Sequence, residues 1–365
     1  MTNVSRISIF GILGLAYAVL FAEVFLRLLA PQAIIPRYVT AAPYGIRMNI
    51  PGAEYRQVTP ETRVSIRIND QGLRAEQTYP LEKASCISRV ALFGDSYFMG
   101  YEADLTDSFA WQLEQALRAQ RCPVEVLNFA VSGFGTAEML KTLEEKGLAY
   151  SPDVVVFQWH HTDPADNMRA NLYDLNAGRL QANSNTYVPA IRTRQILNAI
   201  PLYTMVSENS HLYAAARERA STFIKNALTG GALVRTSITS PQNHTKTLDQ
   251  PDRPDASPLD VALLEYAEDV SSTNDAAFFV VDIPSFHDRT SFSSAFRLLP
   301  DDLTDSARYI SPISLFREAA SPDRKLYWEE GHYHLTPDGN RLLAETVAER
   351  LVAQSATQLN CTPPQ

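Results

Sequence analysis

The chain has 365 residues, 45% of them apolar, which is ample for a core and leaves room for one large domain or two. Its formal net charge is -9, with 41 acidic against 32 basic side chains, which excludes a nucleic-acid-binding surface as the main business of the protein.

Beyond a short tail at residues 1–6, Ile7 to Ala22 carries no charge, and apolar residues continue around Glu23 and Arg27 to Ala30. At about 1.5 Å per residue, a helix over 7–30 is long enough to span a bilayer. Glu23 and Arg27 are four apart and can pair on one face near its far end. A cleaved leader is the competing reading, since Ala16-Tyr-Ala18 has the small-x-small form. The apolar run continues past it, which favours an uncleaved anchor with the rest of the chain outside the cytoplasm.

Residues 31–80 read as a stalk and short strand region packed on the core. Up to residue 60 they carry Pro, Tyr and Arg without clear periodicity, and Val64-Ser-Ile-Arg-Ile68 then alternates as a half-exposed strand. From Val90 the pattern becomes repeated βα units. Strands are expected at 90–93, 124–128 and 154–159, with helices near 106–119 and 137–149; such short crossovers force parallel pairing. Cys86 and Cys122 precede the first two strands by similar distances, so a bridge between them is reasonable and would fit an oxidising compartment. Two unrelated thiols is the competing reading, and Cys361 is left over in a Pro-rich tail at 356–365.

After Asn167 the rhythm breaks. Residues 172–180 read as a hairpin turning at Asn176-Ala-Gly178, and 210–225 as a helix. Residues 229–256 are polar and Pro-rich, a surface loop. The stretch 170–256 is therefore an insertion in a domain running from 81 to 355. The fold resumes at Ser257-Pro258, an N-cap with proline at the first helical position. A buried strand follows at 277–283, and Thr336-Pro337 opens a last helix with Leu342, Leu343, Val347 and Leu351 facing inward.

Four stretches fall at expected strand ends, where open α/β sheets bind ligands. Gly94-Asp95-Ser96 follows the first strand and meets a helix, which places Ser96 as a nucleophile; a plain turn serine is the alternative. Asn128-Phe-Ala-Val-Ser-Gly133 follows the second, where a glycine lets backbone N–H groups approach a ligand. Trp159-His-His-Thr-Asp163 follows the third, and Glu329-Glu-Gly-His-Tyr-His334 feeds the last helix. Four of the seven histidines lie in the latter two stretches, and such clustering favours function over structure.

The order Gly94-Asp95-Ser96, Ser132-Gly133, Thr162-Asp163 and a late acid before His334-Leu-Thr-Pro337 resembles the SGNH, or GDSL-type, hydrolase superfamily. The segment Asn69-Asp-Gln-Gly-Leu-Arg74 is similar to one in bacterial members with a single amino-terminal membrane helix. The resemblance covers about 60–167 and 257–352. It implies an α/β fold, a flavodoxin-like three-layer αβα sandwich on a central parallel sheet. It also implies a serine esterase or O-acyltransferase on the inner membrane, facing the periplasm or cell exterior and needing no cofactor. Its substrate would be an acyl ester, on envelope polysaccharide or lipid.

Carried over position by position, Ser96 would form the acyl-enzyme. His334 would be the base and Glu330 its orienter, with His332 as the alternative base. The Ser96 and Gly133 N–H groups would donate to the oxyanion, with Asp95 and Asp163 as supporting carboxylates. Thr162 stands where the family carries an asparagine donor, which leaves the third donor open among Thr162, His160 and His161. Two other readings compete. One is a metal-dependent hydrolase that would use His332, His334, Glu330, His160, His161 and Asp163 as ligands. The other is a degenerate hydrolase fold that binds carbohydrate without turnover.

Overall fold

The structure is a computed structural model that describes residues 3–36, 38–189, 191–228 and 256–361. Five strands form one parallel sheet: β1 (Ser88–Phe93), β2 (Val124–Asn128), β3 (Val154–Trp159), β4 (Ala277–Asp282) and β5 (Tyr309–Ile310). Their spatial order is β5-β4-β3-β1-β2. β1 and β3 are adjacent and buried along their whole length, in register from Val90 opposite Val154 to Phe93 opposite Phe157. The strands are short continuous apolar runs because both faces are covered.

Alternate residues feed two cores. Val90, Leu92, Val154 and Val156 pack toward the helices Phe109–Ala119 and Pro337–Ser355. Ala91, Phe93, Val155 and Phe157 pack on the other side, against Thr136–Glu145 and Pro258–Thr273. This is the expected three-layer αβα sandwich, the SGNH hydrolase fold. The caps read from the sequence are present. Ser257 accepts from Asp260 N, and Thr336 Oγ1 accepts from Gly339 N at 3.2 Å. A separate helix, Asn3–Leu29, precedes the domain; its stretch Phe10–Leu29 is long and apolar enough to cross a membrane, a property signal sequences share.

Several expectations need correction. Residues 31–60 hold strands rather than an aperiodic stalk: Val39–Ala41 pairs with Arg47–Asn49, and Glu54–Val58 with Arg63–Arg67. The pattern was hidden because polar Arg47, Asn49 and Gln57 take inward positions on these short strands. The expected hairpin is Tyr173–Asn176 against Arg179–Ala182, and the helix near 210 spans His211–Leu228. The expected surface loop at 229–256 lies, apart from Ala256, outside the described residues.

The disulfide joins Cys122 to Cys361, not to Cys86, which is a free, exposed thiol. Register does place the residues before β1 and β2 side by side, with Ser88 opposite Val124. A turn closed by the bond from Ile87 N to Ala84 O lifts Cys86 off the sheet, whereas Cys122 points inward toward the end of the chain.

Candidate active site

Ser96 is the first residue of a one-turn helix, Ser96–Met99, at the carboxyl end of β1. Asp95 caps that helix by accepting from Tyr97 N at 2.8 Å. Gln158 of β3 reaches beneath, and its Oε1 accepts from Asp95 N at 3.3 Å and Phe98 N at 3.2 Å. Burial pushes the Asp95 carboxyl up to about 6 despite these bonds. His334 Nε2 lies 2.9 Å from Ser96 Oγ, and His334 Nδ1 lies 2.7 Å from Glu102 Oε2. Serine hydroxyl, imidazole and buried carboxylate thus form one line, an arrangement that can let an imidazole take a hydroxyl proton while its other nitrogen is held.

The carboxylate on His334 is therefore Glu102, where Glu330 was expected. Glu330 is exposed, and its backbone N donates to Glu61 Oε2 at 2.7 Å. Tyr333 takes a left-handed conformation, φ 58°, between it and His334. His332 is not the imidazole at Ser96 either; its backbone N donates to Glu102 Oε2 at 3.1 Å. Burial of Glu102 favours the neutral acid, but the hydrogen bond and charge of His334, with the His332 N–H, outweigh it and hold the carboxyl below its ordinary range.

Considerable structure is spent on placing Glu102. Its own φ is 60°, a conformation costing a non-glycine residue roughly 1–2 kcal/mol. Glu102 N donates to Gln57 Oε1 at 3.0 Å, and Trp328 Nε1 donates to Glu102 O at 3.1 Å. Buried Arg74 donates to Met99 O at 2.7 Å, to Ala103 O at 2.6 Å and to Gly100 O. Arg74 thereby clamps the chain on both sides of Tyr101-Glu102. Gly331 passes so close to Glu102 Oε1 that any side chain there would collide with it.

On the other side of Ser96 is the turn at Ser132-Gly133, where Gly133 has φ 82°. Arg47, buried, donates to Gly133 O at 2.6 Å and grips the Glu138 carboxylate through Nη2 at 2.8 and 3.0 Å. Glu138 Oε2 also accepts from Gly135 N at 3.2 Å. Ser96, Gly133, Thr162 and His334 line one cavity of about 920 Å³. Thr162 Oγ1 lies 3.0 Å from His160 Nδ1 and also bonds Asp166. Asp163 is fully buried below, accepting from His160 N at 2.9 Å; burial first, and the nearby Asp95 second, push its carboxyl well up.

The histidines that suggested a metal site are held by different hydrogen-bond partners. His334 is held between Ser96 and Glu102, and His161 Nδ1 sits 2.9 Å from Ser285 Oγ. Among the described residues no three His, Cys, Asp or Glu side chains converge as a metal set. Sequence reasoning missed Glu102, Arg47 and Gln57. The available signal for Glu102 was an acid six residues past the candidate nucleophile, set in the otherwise apolar Phe98-Met-Gly-Tyr-Glu-Ala103.

The model of the GDSL-like lipase/acylhydrolase family matches residues 90–347. No curated protein sequence matches the chain. Solved structures with a similar arrangement include an acetylxylan esterase from Geobacillus stearothermophilus, in a catalytic mutant form. It is 11% identical, over 72% of this chain and 94% of that one, with a TM-score of 0.38. A Clostridium thermocellum family 3 carbohydrate esterase is 11% identical over 73% and 96%, at 0.38. A GDSL-like lipase from Bacteroides thetaiotaomicron is 10% identical over 73% and 89%, at 0.35.

Proposed function

The chain belongs to the GDSL-like lipase/acylhydrolase family of ester-cleaving enzymes, and from that premise we propose that it is a membrane-anchored serine esterase or O-acyltransferase working through Ser96. The observation that carries this reading is the line Ser96 Oγ–His334 Nε2–Glu102, at 2.9 and 2.7 Å. In the proposed mechanism His334 removes the Ser96 proton as Oγ attacks the ester carbonyl. Glu102 accepts from His334 Nδ1–H and stabilises the imidazolium. The Ser96 and Gly133 N–H groups, with Thr162 Oγ1, are the candidate donors to the oxyanion. The imidazolium protonates the departing alkoxide, and the acyl-enzyme is resolved by water or an acceptor hydroxyl that His334 deprotonates in turn.

Transfer is kept beside hydrolysis because the cavity is far larger than a small acyl group. Tyr38, Tyr97, Tyr101, Tyr203 and Tyr213 line it together with polar groups, a surface suited to a second, hydroxylic substrate such as a polysaccharide. The apolar helix Phe10–Leu29 supports anchoring in a membrane. A domain held in this way in the bacterial inner membrane, facing the periplasm, would meet envelope esters.

The test is intact mass after treatment with a fluorophosphonate. One adduct on the wild-type protein and none on Ser96→Ala is the expected result. Labelling that persists in Ser96→Ala, or esterase activity that survives it, would remove Ser96 from the chemistry.

A further inference from the structure

The helix Asn3–Leu29 does not end freely. Glu23 accepts from Ser210 Oγ at 2.8 Å, from His211 N at 3.0 Å and from Leu212 N at 2.8 Å, which caps the helix His211–Leu228. Arg27 donates to Asn209 O at 2.6 Å. Residues 209–212 therefore sit at the height of the last two turns of the apolar helix. The bond from Ser210 N to Val206 O, 2.9 Å, brings the preceding helix, Tyr203–Asn209, to the same height.

That helix and its neighbour Ile191–Asn198 turn apolar side chains outward. Ile196 is 68% exposed, Leu202 69% and Met205 58%, with Ile200 and Val206 exposed beside them. Five large apolar groups along about a dozen residues are a patch, not the scattered exposure normal for a surface. Guanidinium groups lie at the same level: Arg27, Arg56 and Arg63, with Glu61 and Glu208 among them, line a second cavity of about 500 Å³ at the foot of the anchor. Apolar side chains beside guanidinium groups, at the end of a membrane-length helix, match the boundary between acyl chains and phosphate headgroups. The inward side of the same two helices, through Leu197, Tyr203, Thr204 and Ser207, lines the Ser96 cavity.

We propose that the helices Ile191–Asn198 and Tyr203–Asn209 rest in the headgroup layer of the bilayer that holds the anchor, so that the Ser96 cavity takes an acyl ester carried by an amphiphile of that bilayer. This rests on the reading of Phe10–Leu29 as an anchor and of Ser96 as a nucleophile. The juxtaposition that carries it is Glu23 at the N-terminus of His211–Leu228, one turn from the exposed Leu202–Val206 edge.

The test uses the full chain in phosphatidylcholine vesicles, with lipids brominated near the headgroup end of the acyl chain. Leu202→Trp is expected to lose more than half its added fluorescence over the parent protein. Val19→Trp reports the anchor independently, in vesicles brominated deep in the chain. Quenching at Val19→Trp without quenching at Leu202→Trp overturns the docking and leaves the anchor standing; quenching at neither overturns both. In parallel, the triple variant Ile200→Glu, Leu202→Glu, Met205→Glu should turn over a vesicle-borne ester at least tenfold more slowly than wild type, with a soluble short-chain ester unchanged. Equal changes on both esters, or none on either, refute the substrate class. A wild-type protein inert on both refutes the esterase reading instead, and the quenching then decides the docking alone.

Discussion

Glu102 and His334 are 232 residues apart in sequence, yet Glu102 Oε2 lies 2.7 Å from His334 Nδ1 with the carboxylate side chain fully buried. The first of the two sits in the loop that leads from the Ser96 helix to Phe109–Ala119, and the second in the loop that enters Pro337–Ser355, the helix packed beside it on the same face of the sheet. Packing of one loop on the other supplies what neither segment contains.

Replacement of that acid is the sharpest probe of the site. Glu102→Gln keeps the shape but removes the charge that stabilises the imidazolium and selects its tautomer, so kcat should fall on the order of 10²–10⁴-fold. Glu330→Ala should leave kcat within about twofold, since its side chain is exposed and its backbone bond to Glu61 survives the change. Steady-state kinetics on any ester substrate would decide, and the reverse ranking would restore Glu330 as the orienter.

Thr162 should matter less than a dedicated oxyanion donor. Its single hydroxyl proton has Asp166 as a competing acceptor, and His160 Nδ1 is 3.0 Å away. Loss of a dedicated donor costs about 10²–10³ in kcat; for Thr162→Val we expect about tenfold. A loss near 10³ would show the hydroxyl committed to the oxyanion, and an unchanged rate would leave the backbone donors alone.

Glu138→Ala should unfold the protein more readily without touching the nucleophile. It strands the Arg47 guanidinium in a buried position and frees the Gly133 turn. Breaking such a buried pair costs about 3–5 kcal/mol, read as a lower denaturant midpoint. The double variant Arg47→Met with Glu138→Leu should recover much of that loss.

The pH dependence of stability follows from Asp282, at the end of β4. Burial raises its carboxyl to about 6, against which Ser294 Oγ and Ser311 Oγ, each at 2.5 Å, and Ala295 N at 2.8 Å donate. A carboxyl raised above its unfolded value stabilises the fold most below about 4, while it is protonated in both states, and that contribution is lost as pH rises through about 6. Denaturant melts between pH 4 and 7 should therefore show Asp282→Asn gaining on wild type with rising pH, by about 3 kcal/mol at most. A constant difference between the two proteins would mean that Asp282 does not titrate in that window.

What the sequence displayed depended on how local each signal is. The strand runs 124–128 and 154–159 and the caps at Ser257 and Thr336 are written in consecutive residues, so they could be read directly. Ser96, Gly133 and Thr162 were legible because strand ends converge in a parallel sheet. Glu102 was not, because the expected acid position lies on the histidine's own loop, and the one local mark, an acid in the apolar run 98–103, does not say which histidine it meets. Arg47 was hidden for a similar reason: its partner Glu138 lies 91 residues away, and a strand of three residues shows no period. The pairing of Cys122 turned on a turn at 84–87 and on how the segment after the last helix folds back, and neither leaves a mark in cysteine spacing.

The bond between Cys122 and Cys361 joins residues 239 apart in sequence. A chain made from its amino terminus therefore exposes Cys122 long before its partner exists. Throughout that interval the one other thiol on offer is Cys86, the very residue that register would place beside it. A polypeptide cut short before Cys361 can carry only free thiols or the wrong bridge. Mobility on a non-reducing gel would then distinguish a chain carrying the Cys122–Cys361 bridge from one carrying the early pair, and thiol–disulfide exchange would be needed to rescue any chain that had closed the early pair first.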